Sequence, residues 1–251
     1  MELNEQLRSA IQALYAKFAR YPRPQQLDFC PCGCTKEEEV LPLLSAPLHE
    51  INFGDLEDYS FSAMTTQGLI LDYKYFLPRL LEGIACEPYG FNPEILFGKL
   101  RHAKWLTWDA GEVSTVRGYL SAVWKIALCT FPVSEALPAF PEIETLIASV
   151  ASTGDSLDAY LNLWSTRPNE ASDRHLIQFV TQYGSDFEQG ETLSFGFWED
   201  LPERAQELRH WLLQPSTLSW LESSAHLLPN DGYEHLFGPA LQVIRAESAV
   251  L

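Results

Sequence analysis

Asp109-Ala110-Gly111-Glu112-Val113-Ser114-Thr115-Val116-Arg117-Gly118-Tyr119-Leu120-Ser121-Ala122-Val123-Trp124-Lys125-Ile126-Ala127-Leu128-Cys129-Thr130 decides the class of fold. Val113, Val116, Leu120, Val123, Trp124 and Leu128 recur three or four residues apart, which places them on one face of an α-helix. Asp109 and Glu112 stand at capping-box spacing, where one side chain accepts from the first turn and the other reaches back. The pattern predicts a helix ending near Thr130.

The same grammar extends in both directions. Leu69 to Cys86 reads as a strongly apolar helix through Tyr73, Phe76, Leu77, Leu80, Leu81 and Ile84. Pro78 inside it predicts a kink or a break, because proline lacks the N–H and its ring crowds the preceding turn. Upstream, Gly68 stops a helix carrying Leu56, Tyr59 and Phe61. Leu3, Leu7, Ile11, Leu14 and Phe18 predict a first helix over 2–20, ended before Pro22. Asn92-Pro93 opens another. Downstream, the proline-spaced stretch Phe131-Pro132 to Phe140-Pro141 is the best internal boundary. Helices are expected over 142–151 and 157–164, from Pro168 to Tyr183, after the capping-box pattern Asp200-Leu201-Pro202-Glu203, from Pro215, and after the turn Pro229-Asn230-Asp231-Gly232. No β-branched run is bounded by turns, and no Asn-Gly or Asp-Gly pair lies between alternating apolar residues. The reading is all-α, with roughly ten to twelve short helices packed as antiparallel pairs. Residues 1–131 and 132–251 form two closely packed helical subdomains or one continuous domain.

Apolar residues make up 46% of the 251 and aromatics 12%, enough for a sizeable core. There are 34 Asp and Glu against 17 Lys and Arg, a formal charge of -17. That sign argues against nucleic acid, whose phosphates need clustered cations, and against an anionic membrane surface. It suits a basic protein partner, which a negative field steers in. Met1 to Arg8 is charged and polar with no apolar segment behind it, unlike a signal peptide. No apolar run approaches the ~20 residues of a membrane helix. Five cysteines, two of them isolated in helical patterns, do not make a disulfide framework, so a cytoplasmic location is expected.

Three cysteines fall within Phe29-Cys30-Pro31-Cys32-Gly33-Cys34. Clustered cytoplasmic thiols are candidate metal ligands, and zinc is the cofactor they suggest. Cys30, Cys32 and Cys34 are the candidate ligands, with His49 as the fourth and Asp28 or Cys86 as other fillers. A redox-sensitive loop and a purely structural turn remain open beside that reading. Arg101-His102-Ala103-Lys104-Trp105 reads as the basic end of a helix. Glu207-x-x-His210 fits one half of a di-metal carboxylate motif that has no second copy. Nucleophile elbows, phosphate loops and dinucleotide glycine patterns are absent from the sequence. Trp198, beside Glu199 and Asp200, is the tryptophan expected at the surface.

In order, Tyr21-Pro22, Cys30-Pro31-Cys32, Tyr59-Ser60-Phe61-Ser62-Ala63-Met64-Thr65-Thr66, Phe76-Leu77-Pro78-Arg79-Leu80-Leu81, Trp105-Leu106-Thr107-Trp108 and Trp124 resemble a group of uncharacterised, all-helical bacterial proteins. Members of that group often carry adjacent cysteines after the Cys-Pro pair, where this chain has Gly33 between Cys32 and Cys34. The resemblance covers roughly the first half and implies a bacterial source and a helical fold, with no activity attached. The expected function is protein binding without catalysis, in the concrete form of an immunity or antitoxin-like protein covering a basic toxin domain. A zinc- or redox-dependent regulator working through the cysteine loop, and an enzyme of unrecognised type, are the alternatives.

Overall fold

A computed structural model describes residues 4–31, 36–87, 90–166, 169–189, 191–228 and 234–249. Cys32, Cys34, Pro168 and the expected turn at 229–232 lie outside them. The described residues form twelve α-helices, short 3-10 turns and no strand, with isolated bridges at Phe29–Gln67 and Ala63–Gln67. The fold is all-α.

The helices are α1 (Glu5–Phe18), α2 (Glu37–Ser45), α3 (Phe53–Ser62), α4 (Ile70–Cys86), α5 (Pro93–His102), α6 (Ala110–Cys129), α7 (Ile143–Ser152), α8 (Asp158–Thr166), α9 (Glu170–Tyr183), α10 (Pro202–Leu212), α11 (Pro215–Ser224) and α12 (Glu234–Ser248). Contacts divide the chain into two compact units, Met1–Val123 with Leu137–Phe140, and Trp124–Ala136 with Pro141–Leu251.

In the first unit α1 and α3 pack on α4. Tyr73, Phe76, Leu77, Leu80, Leu81 and Ile84 of α4 are fully buried, as their spacing predicts. Pro78 does not break this helix: α4 runs unbroken from Ile70 to Cys86. The proline forgoes the bond to the Lys74 carbonyl, and the buried apolar residues on either side hold the backbone helical against that loss. Gly68 before α4 has φ +68°, and its N–H donates to the Asp28 carbonyl at 2.6 Å. Only glycine takes that conformation without cost.

In the second unit α12 lies on α9 and on the 3-10 turn Gly184–Phe187, while α11 and α7 also contact α9. Leu176, Ile177, Phe179 and Val180 of α9 are fully buried. Trp164 stacks on Trp211 at 5.0 Å and meets Trp124 edge-on at 6.2 Å. Edge-on and offset pairs are the favoured aromatic geometries.

The two capping-box expectations are corrected. Asp109 does accept from the Gly111 N–H at 3.0 Å, but Glu112 turns inward and is fully buried. At the second site Leu201 is the N-cap and makes no side-chain cap bond, while Glu203 pairs with Arg204 at 3.2 Å. Pro202 occupies the first helical position, where a missing N–H costs nothing, and Leu201 is buried.

Candidate functional site

Of the three clustered cysteines only Cys30 is described, and it sits in a short antiparallel pairing. The Cys30 N–H donates to the Thr66 carbonyl at 2.8 Å, next to the Gly68–Asp28 bond. Cys30 is half-buried and free. His49 sits on the 3-10 turn Leu48–Glu50, largely exposed, with Nε2 3.5 Å from Glu50. Asp28 enters the pairing through its carbonyl, which accepts from Gly68. Burial pushes the Cys86 thiol up to about 11, which opposes the thiolate a metal requires. Among the described residues no group of three or more His, Cys, Asp or Glu is placed to hold a metal. Phe29, Leu69 and Leu71 are exposed around the pairing.

Sequence reading missed the most concentrated polar cluster of the first unit. Glu112 Oε2 accepts from Lys74 Nζ at 2.9 Å. Its Oε1 accepts from the Tyr21 hydroxyl and pairs with Arg20 at 2.7 Å. Lys74 also donates to Tyr21 at 3.1 Å and lies 4.1 Å from the Trp108 ring. Burial opposes the charge of Glu112, but the bonds from Tyr21, Lys74 and Arg20 outweigh it and hold the carboxyl below its usual range. Every member of the cluster is paired, so the arrangement ties the segment just after α1 to α4 and α6 and leaves no reactive group. The signal was a glutamate at a position that the helical spacing of Val116 and Leu120 also assigns to the buried face.

The acidity of the chain is unevenly placed. The second unit carries 18 Asp and Glu against 6 Lys and Arg, the first 16 against 11. Within the second unit the segment 186–203 is the densest part. Glu188, Glu191 and Glu199 are exposed, and none forms an ion pair among the described residues. A cleft of about 380 Å3 opens here, lined by Glu191, Leu193, Trp198, Glu199, Pro202 and Arg209. Arg209 spends its donors on the loop: it donates to the carbonyls of Asp186 at 3.0 Å, Glu191 at 3.2 Å, Glu188 at 3.3 Å and Phe187. Those bonds fix the loop that displays the carboxylates. Trp198 is only 7% exposed, contrary to expectation, because it packs edge-on against Phe195 at 5.5 Å. Phe197 is the exposed aromatic instead.

The remaining candidates are structural. Glu207 accepts from the Leu157 N–H at 2.7 Å and pairs with Arg204 at 2.8 Å, so it supports the entry to α8, and His210 is exposed. Arg101, His102 and Lys104 are exposed at the end of α5. A cleft of about 510 Å3 is lined by Ser165, Asp173, Ser216, Ser219, Trp220 and His226. Trp220 donates to Asp173 at 2.7 Å, and His226 Nδ1 lies 3.0 Å from the Ser223 carbonyl. No serine there is hydrogen-bonded to the imidazole, so no activated nucleophile is assembled.

Comparison with protein-family models, curated proteins and solved structures finds no match to this chain. Among the described residues no helix is long and apolar enough to cross a membrane.

Proposed function

We propose that this is a bacterial cytoplasmic protein that binds a basic protein partner through the acidic segment 186–203, in the manner of an immunity or antitoxin-like protein. The observation that carries the reading is the cleft flanked by the unpaired carboxylates of Glu191 and Glu199, on a loop that Arg209 holds through four carbonyls. A fixed loop loses little entropy on binding. An arginine or lysine of the partner would lay its aliphatic stem along Leu193 and Pro202 and its charge against the two glutamates. The exposed Phe197 beside it supplies an aromatic anchor.

The test compares partner capture from native lysate by the wild type, by Glu188→Lys/Glu191→Lys/Glu199→Lys, and by a control reversing Glu5, Glu50 and Asp58. Salt-sensitive capture that the first variant loses and the control keeps supports the reading. Equal loss in both, or capture indifferent to salt, sinks it.

A zinc- or redox-dependent role of the cysteine loop is the second reading. Its support is that Cys30 is free and held by a main-chain bond next to exposed apolar side chains. Zinc retained by protein purified without added metal, and lost in Cys30→Ser, would favour it. No zinc together with an unchanged melting temperature in the variant would remove it.

A further inference from the structure

The first turn of α7 buries two carboxyl groups against α9 with no cation beside them. Glu142 is the N-cap of α7 and Glu144 lies in its first turn, 8% exposed. The adjacent α9 supplies Gln178, which is hydrogen-bonded to Glu142, and Tyr183, whose hydroxyl donates to Glu144 Oε1 at 3.4 Å. Glu142 Oε2 and Glu144 Oε2 are buried and accept no hydrogen bond among the described residues. Asp186, in the turn Gly184–Phe187, acts on Tyr183 and spends Oδ2 on the Ser194 N–H and hydroxyl, both at 2.7 Å. No Lys, Arg or His among the described residues pairs with Glu142 or Glu144.

Two like charges in this place have neither water nor a counter-charge to meet them, so their seat against α9 is stable only when they are neutral. A proton removes the charge and turns an orphaned acceptor into a donor. We propose that the Glu142–Glu144 pair is a proton-held latch: protonated, it seats the first turn of α7 against α9, and ionised, it releases that turn to water. Burial, the largest influence on both groups, raises the pKa of Glu142 and brings that of Glu144 to about 7, and the charge of Glu142 adds to the rise at Glu144. Tyr183, pushed up to about 12 chiefly by burial, keeps its proton throughout and stays a donor. The unfolded chain ionises Glu144 near pH 4.3, about the usual glutamate value, whereas the folded chain holds the proton until about pH 7. The stability in the latch is therefore fully present below the unfolded value and is lost as pH rises through 7. Opening one turn exposes less apolar surface than unfolding the chain, so the turn is the first part to respond. The latch does not depend on the partner-binding reading.

The experiment follows amide exchange of the full chain from about pH 5.5 to pH 8.5, corrected for the intrinsic rise of exchange with pH. Protection of the first turn of α7 should fall at least tenfold across that range, with a midpoint near 7, while the buried stretch of α4 changes less than twofold. Glu144→Gln keeps the shape and cannot ionise, so its first turn should stay protected at pH 8.5. Glu142→Gln removes the like charge beside Glu144, so its midpoint should move to lower pH, and it serves if Glu144→Gln fails to fold. Protection of the turn that does not change with pH in the wild type overturns the proposal. So does a fall of equal size in Glu144→Gln, or an unmoved midpoint in Glu142→Gln.

Discussion

Glu112 has no exposed surface, and its charge is stable only because Lys74, Tyr21 and Arg20 meet it. Glu112→Gln should therefore lower unfolding free energy by about 3–5 kcal/mol in denaturant titrations, since it leaves the mostly buried Lys74 without its counter-charge. Adding Lys74→Met should recover part of that loss, and additive losses would show that the two residues do not interact. Its carboxyl is held below the usual range, so the stability it contributes is present above the unfolded pKa of about 4.3. That stability is lost as pH falls through the folded value. His175 behaves oppositely in chemistry but alike in sign. Its Nε2 lies 3.0 Å from the Ala127 carbonyl and 2.8 Å from that of Thr130, at the end of α6, and its Nδ1 is buried without a partner. Burial lowers its pKa, so the unfolded chain takes a proton near pH 6.5 before the folded one does. Acidification from pH 7 to 5 should cost stability through this residue, by up to about 1.4 kcal/mol per pH unit. Melting curves of His175→Gln should have a shallower pH slope than wild type, and an identical slope would exclude His175.

At the scale of the helix, apolar spacing was legible and polar detail was not. The periodic residues of α4 and α9, and those of α6 from Val116 onward, are buried where their spacing puts them, because a buried stripe must repeat with the helix, while Val113 in the first turn of α6 is half-buried. Of the kink or break that Pro78 predicts, the break does not occur, because local propensity gives way to tertiary burial over one turn. The partners of Glu112 and Glu207 lie 38 and 50 residues away, beyond any local pattern. The acidic segment was legible as composition, whereas its cleft depends on Arg209 reaching carbonyls 18 to 23 residues upstream. Close helix approach was equally silent in the sequence. A Cβ on Gly184 would lie 2.8 Å from the Ala240 Cβ of α12 and 3.1 Å from Val180. Gly184→Ala should thus destabilise by about 1–3 kcal/mol. Ala240→Gly should cost less in that background than in wild type, because it relieves the clash. Equal costs in both backgrounds would mean that α12 does not approach this turn as closely as described.

Across the molecule the charge is a burden placed where binding is proposed. With 18 acidic residues against 6 basic ones, like charges in the second unit repel one another, and the repulsion weakens as salt shortens its range. Glu188, Glu191 and Glu199 have no ion pair to lose among the described residues, unlike Glu170 and Glu222, which pair with Arg174 and Arg245. Reversing the first three to lysine should raise the melting temperature at about 10 mM salt by about 2–4 °C, and the gain should vanish near 0.5 M. The same triple variant is the one expected to lose the partner. Gaining stability while losing binding is the pattern of residues kept for function at a cost in stability. If the reversal destabilises the protein at low salt, the carboxylates are holding the loop itself. The acidic segment then needs no partner to explain it.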